Sequence, residues 1–168
     1  MHAGRDEWRA DAPGRLEYDG AVTTVSQDGG LVSTGTNTFT VTPGTMFYMP
    51  LIYADDSPPI AGNFPTSSSQ VVAYFFGADQ AGAKDVTIVV DGKSTSIGPA
   101  YLPGMIQSSQ PLLDGGGTHI MTLGVFLTPL SKGTHTISYQ ATFAGAAVAQ
   151  TYGVTFLKFV NTYTVNVQ

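Results

Sequence analysis

Turn-forming residues interrupt this sequence so often that they leave room only for short secondary-structure elements. The 168 residues include 20 glycines and 10 prolines, and the runs between them are rich in threonine, valine and aromatic residues. Such runs suit the pleated, half-buried surface of a β-sheet, and the residues that bound them close tight turns. No apolar period of 3.6 residues is sustained anywhere. The pattern therefore predicts an all-β protein.

Two Asp-Gly pairs mark the clearest turns. Asp28-Gly29 follows a β-rich run, and Asp91-Gly92 separates two more such runs. Both pairs predict turns, and Asp91-Gly92 predicts a β-hairpin, because Asp and Gly tolerate the positive φ angles that a type I′ turn needs.

Two apolar segments predict strands covered on both faces. Residues 45–52 and 70–78 are apolar almost throughout. Pro50 interrupts the first of them, and proline cannot donate a hydrogen bond to a neighbouring strand. Its position predicts a bulge, a sheet edge or a strand end.

About nine strands follow from this spacing, and the predicted fold is an antiparallel β-sandwich of the immunoglobulin-like or jelly-roll type. The chain length fits one domain with a core of its own. Residues 1–19 differ in composition, because they hold all three arginines and the only tryptophan, Trp8. We expect a charged N-terminal tail over 1–19, with Trp8 packing it onto a sandwich domain over 20–168.

The charge of the chain argues against several classes of partner. Charged residues make up 11% of the sequence and the formal net charge is -5, so a basic patch for nucleic acid is not expected. No apolar run approaches the length of a membrane span. The chain contains no cysteine, which excludes disulfides and thiolate metal sites.

One stretch of the chain resembles a known group of proteins. Residues 127–137 read Leu-Thr-Pro-Leu-Ser-Lys-Gly-Thr-His-Thr-Ile, which is similar to the closing hairpin of a loose group of bacterial secreted β-sandwich proteins of unassigned function. The segments 41–51, 90–93 and 160–167 match other parts of that group in the expected order. The resemblance implies a sandwich architecture and a secreted or cell-surface location. The start of the chain lacks the apolar core of a signal peptide, so an exported protein would have lost its leader.

Two long irregular stretches, 53–69 and 98–117, carry the predicted binding residues. Tyr53, Phe64 and Tyr101 lie in them, and exposed aromatic rings offer flat apolar surfaces to sugars or to a partner protein. His119 follows three consecutive glycines, which would let a ligand approach the backbone. Loop anchoring is the alternative role for the three aromatic residues.

Acidic and histidine side chains give weaker predictions. Asp55 and Asp56 are adjacent in the first irregular stretch, where loop oxygens could bind Ca²⁺, although a solvated turn is the alternative. No other cofactor is expected. His135 lies within the resembling stretch, where we expect a hydrogen-bonded strand histidine that fixes the turn. A carboxylate pair with Asp114 would suit hydrolysis, but no Gly-x-Ser-x-Gly motif is present and no catalytic residue is assigned.

The leading hypothesis is a non-catalytic extracellular β-sandwich module that binds a carbohydrate or protein partner through its long loops. A structural assembly subunit of a shell, fibre or matrix is one alternative, and a homo-oligomer is compatible with either function. A hydrolase or lyase that uses Asp and His in a cleft framed by loops is the other.

Overall fold

The structure is a computed structural model that describes residues 21–102, 104–112 and 116–168. The tail predicted over 1–19, with Trp8, and Asp114 lie outside the described residues. The elements in chain order are β1 (Ala21–Gln27), β2 (Gly30–Val41), β3 (Phe47–Asp55), α1 (Val71–Phe76), β4 (Ala83–Val90), β5 (Lys93–Ser96), β6 (Met105–Gln107), β7 (His119–Leu127), β8 (Gly133–Phe143), α2 (Ala146–Tyr152) and β9 (Leu157–Val167), with short 3₁₀ turns at Ser68–Gln70 and Pro99–Tyr101.

The described strands form two sheets. Six strands make the larger sheet in the order β1-β2-β9-β8-β4-β5, and three make the smaller sheet in the order β3-β7-β6. The predictions of a mostly β protein and of about nine strands are confirmed.

One strand pair departs from the antiparallel prediction. β2 and β9 run parallel, from Leu31 beside Leu157 to Val41 beside Val167, whereas every other described pair is antiparallel. β9 returns antiparallel to β8 and inserts beside β2, which lies far away in the sequence. Because residue patterns within a strand do not specify such a distant neighbour, the direction of this pair could not be inferred.

Both Asp-Gly pairs close two-residue hairpins. Asp28 and Gly29 have φ angles of 49° and 77°, and Asp91 and Gly92 have φ angles of 48° and 80°. Positive φ at both central residues is the requirement of a type I′ turn, whose twist matches that of the flanking strands. These two hairpins join β1 to β2 and β4 to β5. The second is the predicted hairpin, and the first lies at a predicted turn.

A single core joins the two sheets and the two helices. Alternate residues of β8 point into it, and Ile137 and Phe143 are fully buried. β7 contributes Met121 and Leu123, both also fully buried. Burying one such side chain stabilises the fold by about 1.5–3 kcal/mol, so the inner faces of β7 and β8 contribute strongly to stability.

The strand predicted over 70–78 is wrong, because α1 occupies most of this segment. Its buried side chains are Val71, Tyr74 and Phe75, and this i, i+3, i+4 spacing places all three on one face of a helix. The valines and aromatic residues of this segment favour a strand intrinsically, but packing of this face onto the core overrides that preference.

The small-residue connection predicted over 145–150 is mostly helical. α2 buries Ala147 and Val148, and the backbone carbonyl of Gln80 lies so close to Gly145 that no Cβ would fit there. Small residues therefore let the start of α2 pack directly against the backbone at Gln80. Neither α1 nor α2, the α-helices of the described residues, has the length and apolarity that a membrane crossing requires.

Candidate binding surface

The outward side of the three-stranded sheet carries a group of exposed or half-buried apolar side chains. We call it the aromatic face and define it by Tyr48 and Tyr53 on β3, Ile106 on β6, and Ile120 and Phe126 on β7. The strand register places Tyr48 opposite Phe126, Tyr53 opposite Thr122, and Ile106 opposite Ile120. Opposite residues point to the same side of a sheet, so these side chains share one face.

Tyr48 and Phe126 form the centre of the aromatic face. Their ring centroids lie 4.9 Å apart with an interplanar angle of 48°, a tilted aromatic pair within the range of favourable geometries. Phe126 nevertheless remains 71% exposed and Tyr48 37% exposed. A large aromatic ring exposed to this degree gains little from folding, so its presence on a sheet face suggests contact with another molecule.

Gly124 leaves the space in which the Tyr48 ring crosses β7. The Tyr48 hydroxyl lies 2.6 Å from the Thr122 hydroxyl oxygen, and the ring passes directly over Gly124 to reach it. A Cβ at residue 124 would collide with the ring and hydroxyl of Tyr48 and with the Met49 carbonyl oxygen. The glycine therefore permits a fixed and flat orientation of the ring.

Of the alternatives predicted for Pro50, the structure has both a bulge beside it and a position on an edge strand, and the bulge determines which residues reach the aromatic face. The pairing with β7 shifts between Pro50 and Ile52, which leaves Leu51 as an extra residue in β3. Leu51 and Ile52 are both buried, so the residues after the bulge resume their alternation one position later. Tyr53 thereby points outward on the same side as Tyr48.

The prediction that residues 45–52 are covered on both faces is wrong. The inward residues Phe47 and Met49 are buried, whereas the outward residues Tyr48 and Pro50 are exposed. The three-stranded sheet packs on the core with one side only. An apolar run in this strand therefore does not indicate burial on both sides, because its outward half forms a surface.

The predicted binding residues occupy different surroundings. Tyr53 belongs to the aromatic face, whereas Phe64 and Tyr101 lie outside its strands. The Phe64 ring stands edge-on to Tyr74 at a centroid distance of 5.6 Å and packs against the core, which fits the anchoring alternative for this residue. Tyr101 is 39% exposed at the end of a 3₁₀ turn.

Asp56 and His119 form a hydrogen-bonded pair at the start of β7. Asp56 Oδ1 accepts hydrogen bonds from the backbone amides of Thr118 at 2.7 Å and His119 at 2.8 Å, and its Oδ2 lies 2.9 Å from His119 Nδ1. Burial alone would raise the pKa of Asp56, but the hydrogen bonds from His119 and Thr118 outweigh it and hold the pKa below its ordinary value. The carboxylate thus ties the loop after β3 to the start of β7.

Gly117 allows this loop to close. A Cβ at residue 117 would collide with the Asp56 carboxylate and with the backbone nitrogen and hydroxyl of Ser57. Ser57 in turn accepts a hydrogen bond from the Gly117 amide at 3.2 Å. Gly117 therefore lets Asp56 and Ser57 of the loop after β3 approach its backbone, which is the place where the sequence predicts the approach of a ligand.

The predicted calcium ligands are bonded to that same loop. Asp55 Oδ1 accepts a hydrogen bond from the Ser57 amide at 2.7 Å, and Asp56 binds the start of β7. In the ranges that the structure describes, no three His, Cys, Asp or Glu side chains come together as a metal site would require. Both carboxylates thus accept hydrogen bonds from backbone amides of the turn after β3 or of the start of β7.

His135 has the role predicted for it. Its Nδ1 lies 2.7 Å from Asp91 Oδ2 and its Nε2 lies 2.9 Å from the Ser131 carbonyl oxygen. An ionised carboxylate and a backbone carbonyl can only accept, so these two partners favour the imidazolium form, in which both ring nitrogens donate. The hydrogen bonds to Asp91 and Ser131 raise the pKa of His135, and the bond from His135 lowers the pKa of Asp91. The histidine thus joins the β4–β5 turn to β8.

A shallow pocket of about 120 Å³ lies against the inner side of the β1–β2 hairpin. Leu31, Leu157, Phe159 and Tyr152 of α2 supply most of its wall, with Thr24 and Ser33 at the hairpin. All of these residues belong to the larger sheet or to α2. The pocket is mainly apolar and contains none of the histidines or aspartates discussed above.

Comparison with known proteins adds no functional assignment to this geometry. No protein-family model matches the chain, and neither a curated protein nor a solved structure shows significant similarity to it. Sequence reasoning missed Tyr48 and Phe126. Strand alternation places Tyr48 on the opposite side from Phe47 and Met49, but no residue in the run shows which of the two sides is left uncovered.

Proposed function

We propose that this protein is a non-catalytic extracellular module that binds a carbohydrate or protein partner through the aromatic face. The observation that carries the proposal is the exposed Tyr48–Phe126 pair at the centre of that face. This differs from the sequence-based hypothesis, which placed the partner on the long loops. Tyr53 is a binding residue in both the sequence-based hypothesis and this proposal.

The size of the aromatic face favours an extended small ligand over a folded protein. Three strands and the length from Tyr48 to Asp55 span about 20 Å by about 10 Å, or about 200 Å². A stable protein–protein interface buries about 800 Å² on each partner. A short oligosaccharide fits the smaller footprint, and its apolar ring faces can stack on Tyr48 and Phe126.

The charge of the face favours a neutral glycan. Asp55 is the one residue with a formal charge among the outward residues at the paired positions of the face, where it lies opposite Ile120. A single carboxylate at one end disfavours anionic sugars and can accept hydrogen bonds from hydroxyl groups. Aromatic stacking then supplies most of the affinity, and Asp55 orients the ligand.

The remaining parts of the proposal concern architecture and location. We propose that the two sheets pack as a β-sandwich of the immunoglobulin-like or jelly-roll type, since β3, β7, β4, β8 and β9 all contribute to one core. The resemblance of residues 127–137 to bacterial secreted sandwich proteins supports a secreted or cell-surface location. An exposed aromatic face of this kind suits a protein that meets glycans outside the cell.

The test is a glycan array of neutral oligosaccharides followed by calorimetry on the best ligand. Phe126→Ala and Tyr48→Ala should each weaken binding about tenfold or more, which corresponds to about 1.4 kcal/mol. Tyr101→Ala is the matched control, because Tyr101 is 39% exposed and Tyr48 is 37% exposed, and it should bind as the unchanged protein does. Failure of every neutral glycan to bind, or equal losses in Tyr101→Ala, would refute the proposal.

A hydrolase or lyase is the second candidate, and the Asp56–His119 pair is the observation that favours it. In such an enzyme the histidine acts as a base and the carboxylate orients it. The nearby Thr118 hydroxyl lies 3.2 Å from Nδ1, the same nitrogen that faces Asp56, so it is not aligned as a nucleophile on the opposite nitrogen. Glycan cleavage by the unchanged protein that disappears in His119→Gln would establish this candidate in place of the first.

A further inference from the structure

The edge formed by β1 differs from the other sheet edges of the described residues. β5 has four residues and begins with a lysine, β6 has three residues, and β3 contains Pro50 and a bulge. Short strands, lysine, proline and bulges are the features by which proteins prevent edge-to-edge pairing. β1 has seven residues, Ala-Val-Thr-Thr-Val-Ser-Gln, without a charge or a proline. It is therefore an unprotected edge.

The hairpin register shows which backbone groups of β1 are free to pair. Gln27 and Gly30 close the two-residue turn and form a hydrogen-bonded pair, so the odd-numbered residues of β1 direct their amides and carbonyls toward β2. The even-numbered residues Val22, Thr24 and Ser26 direct theirs away from the sheet. Three residues thus present donors and acceptors at the spacing that a further antiparallel strand needs.

The described residues also leave both sides of β1 uncovered. Val22 and Val25 point to opposite sides of the sheet and are 45% and 49% exposed. On the inner side, Thr24 borders the shallow pocket. An additional strand beside β1 would meet no obstructing element from the described part of this chain on either side.

We propose that β1 pairs with β1 of a second copy, antiparallel and about a two-fold axis at Thr24. Thr24 then lies opposite Thr24 of the other copy, and Val22 lies opposite Ser26, so each free donor meets an acceptor. The absence of charge on β1 removes like-charge repulsion across the axis, and a directly opposed threonine pair is favourable in antiparallel sheets. The two six-stranded sheets become one continuous sheet of twelve strands.

This pairing goes beyond the proposed binding function and leaves the aromatic face untouched. Tyr48 and Phe126 belong to the smaller sheet and β1 to an edge of the larger one. A dimer would therefore carry two aromatic faces, and a polymeric glycan that reaches both would bind more tightly than a short one. Because the two surfaces lie on different sheets, dimerisation can fail while glycan binding persists, and glycan binding can fail while the dimer persists.

Single cysteines test the register, because the chain contains no cysteine of its own. Thr24→Cys should form a disulfide-linked dimer on mild oxidation, since opposed residues in such a pair have Cα atoms about 5.5 Å apart. Val25→Cys is the matched control: it lies opposite Thr23 of the other copy, which places the two thiol-bearing residues too far apart to bridge. A mixture of Val22→Cys and Ser26→Cys should yield the mixed dimer. The proposal would be overturned if Thr24→Cys and Val25→Cys cross-linked equally, or if Thr24→Cys formed no cross-linked dimer.

Sedimentation of the full chain of residues 1–168 gives an independent measure. We expect a dimer, and Thr24→Pro should raise its dissociation constant at least tenfold, because it removes an outward donor without touching the bonds to β2. Circular dichroism confirms that this variant keeps its sheets. A full chain that is monomeric at 100 μM would overturn the proposal. The proposal would also be overturned if dimers appeared only after removal of residues 1–20, because that result would mean that those residues occupy the β1 edge.

Discussion

Replacing Asp56 tests whether its carboxylate fastens the loop after β3 to the start of β7. Asp56→Ala removes the acceptor for two backbone amides and one imidazole nitrogen. Each bond contributes about 0.5–1.5 kcal/mol to stability, and more when the acceptor is charged. The carboxylate is 25% exposed, so water can replace part of the loss. We expect the free energy of unfolding to fall by about 2–3 kcal/mol.

Asp56→Asn separates the roles of the two carboxylate oxygens. The amide oxygen of asparagine can still accept both backbone hydrogen bonds, whereas its nitrogen cannot accept one from His119. The expected loss is about 1 kcal/mol, less than half of that in Asp56→Ala. Asp79→Ala is the control, because Asp79 is exposed, and it should stay within about 0.5 kcal/mol of the unchanged protein.

Urea unfolding followed by far-ultraviolet circular dichroism measures these differences. The pKa of Asp56 in the folded protein lies below its ordinary value of 3.8, so its contribution is complete above that pH and is lost as the pH falls through the folded-state pKa. The gap between the unchanged protein and Asp56→Ala should therefore narrow in acid. A loss below 0.5 kcal/mol at pH 7, or equal losses in the alanine and asparagine variants, would refute this account of the loop.

Three further results are expected from the same unfolding assay. His135→Gln should lower the free energy of unfolding most between about pH 4 and 6.5. The difference in stability from the unchanged protein should vanish as the pH rises through the raised pKa of His135. A difference in stability that persists at pH 9 would contradict this. Phe143→Ala should cost about 3–5 kcal/mol because the ring is fully buried, whereas Phe126→Ala should cost less than 1 kcal/mol. Gly92→Ala should cost about 1 kcal/mol, because its φ is 80° and the surrounding space is open. Gly98→Ala has the same open space without a positive φ and should be neutral; equal effects of the two glycine substitutions would count against backbone strain.

Local chemistry explains which parts of the fold could be predicted. The Asp-Gly turns depend only on the φ preferences of two adjacent residues, and the Pro50 bulge depends on one missing donor. His135 could be assigned a turn-fixing role because it follows a turn and lies in an alternating strand. In each case the decisive interaction involves neighbours in the chain or a property of one residue.

Long-range packing explains what could not be predicted. α1 contains valines and aromatic residues that prefer strands, and it is helical because one face packs onto the core. The parallel pairing of β2 with β9 joins segments more than a hundred residues apart. The aromatic face was missed for a related reason: burial on one side of a three-stranded sheet depends on which sheet the strand joins, and the sequence of β3 does not contain that information.

The extra residue Leu51 makes the composition of the aromatic face depend on the bulge. Tyr48 and Tyr53 are separated by an odd number of positions, and strict alternation would direct them to opposite sides of the sheet. If Leu51 were paired regularly with β7, everything from Ile52 to Asp55 would turn by one position, which would direct Tyr53 and the Asp55 carboxylate toward the core. Deleting Leu51 would leave Tyr48 and Tyr53 an even number of positions apart, so a related chain that is shorter by this one leucine could carry the same face on a strand without a bulge.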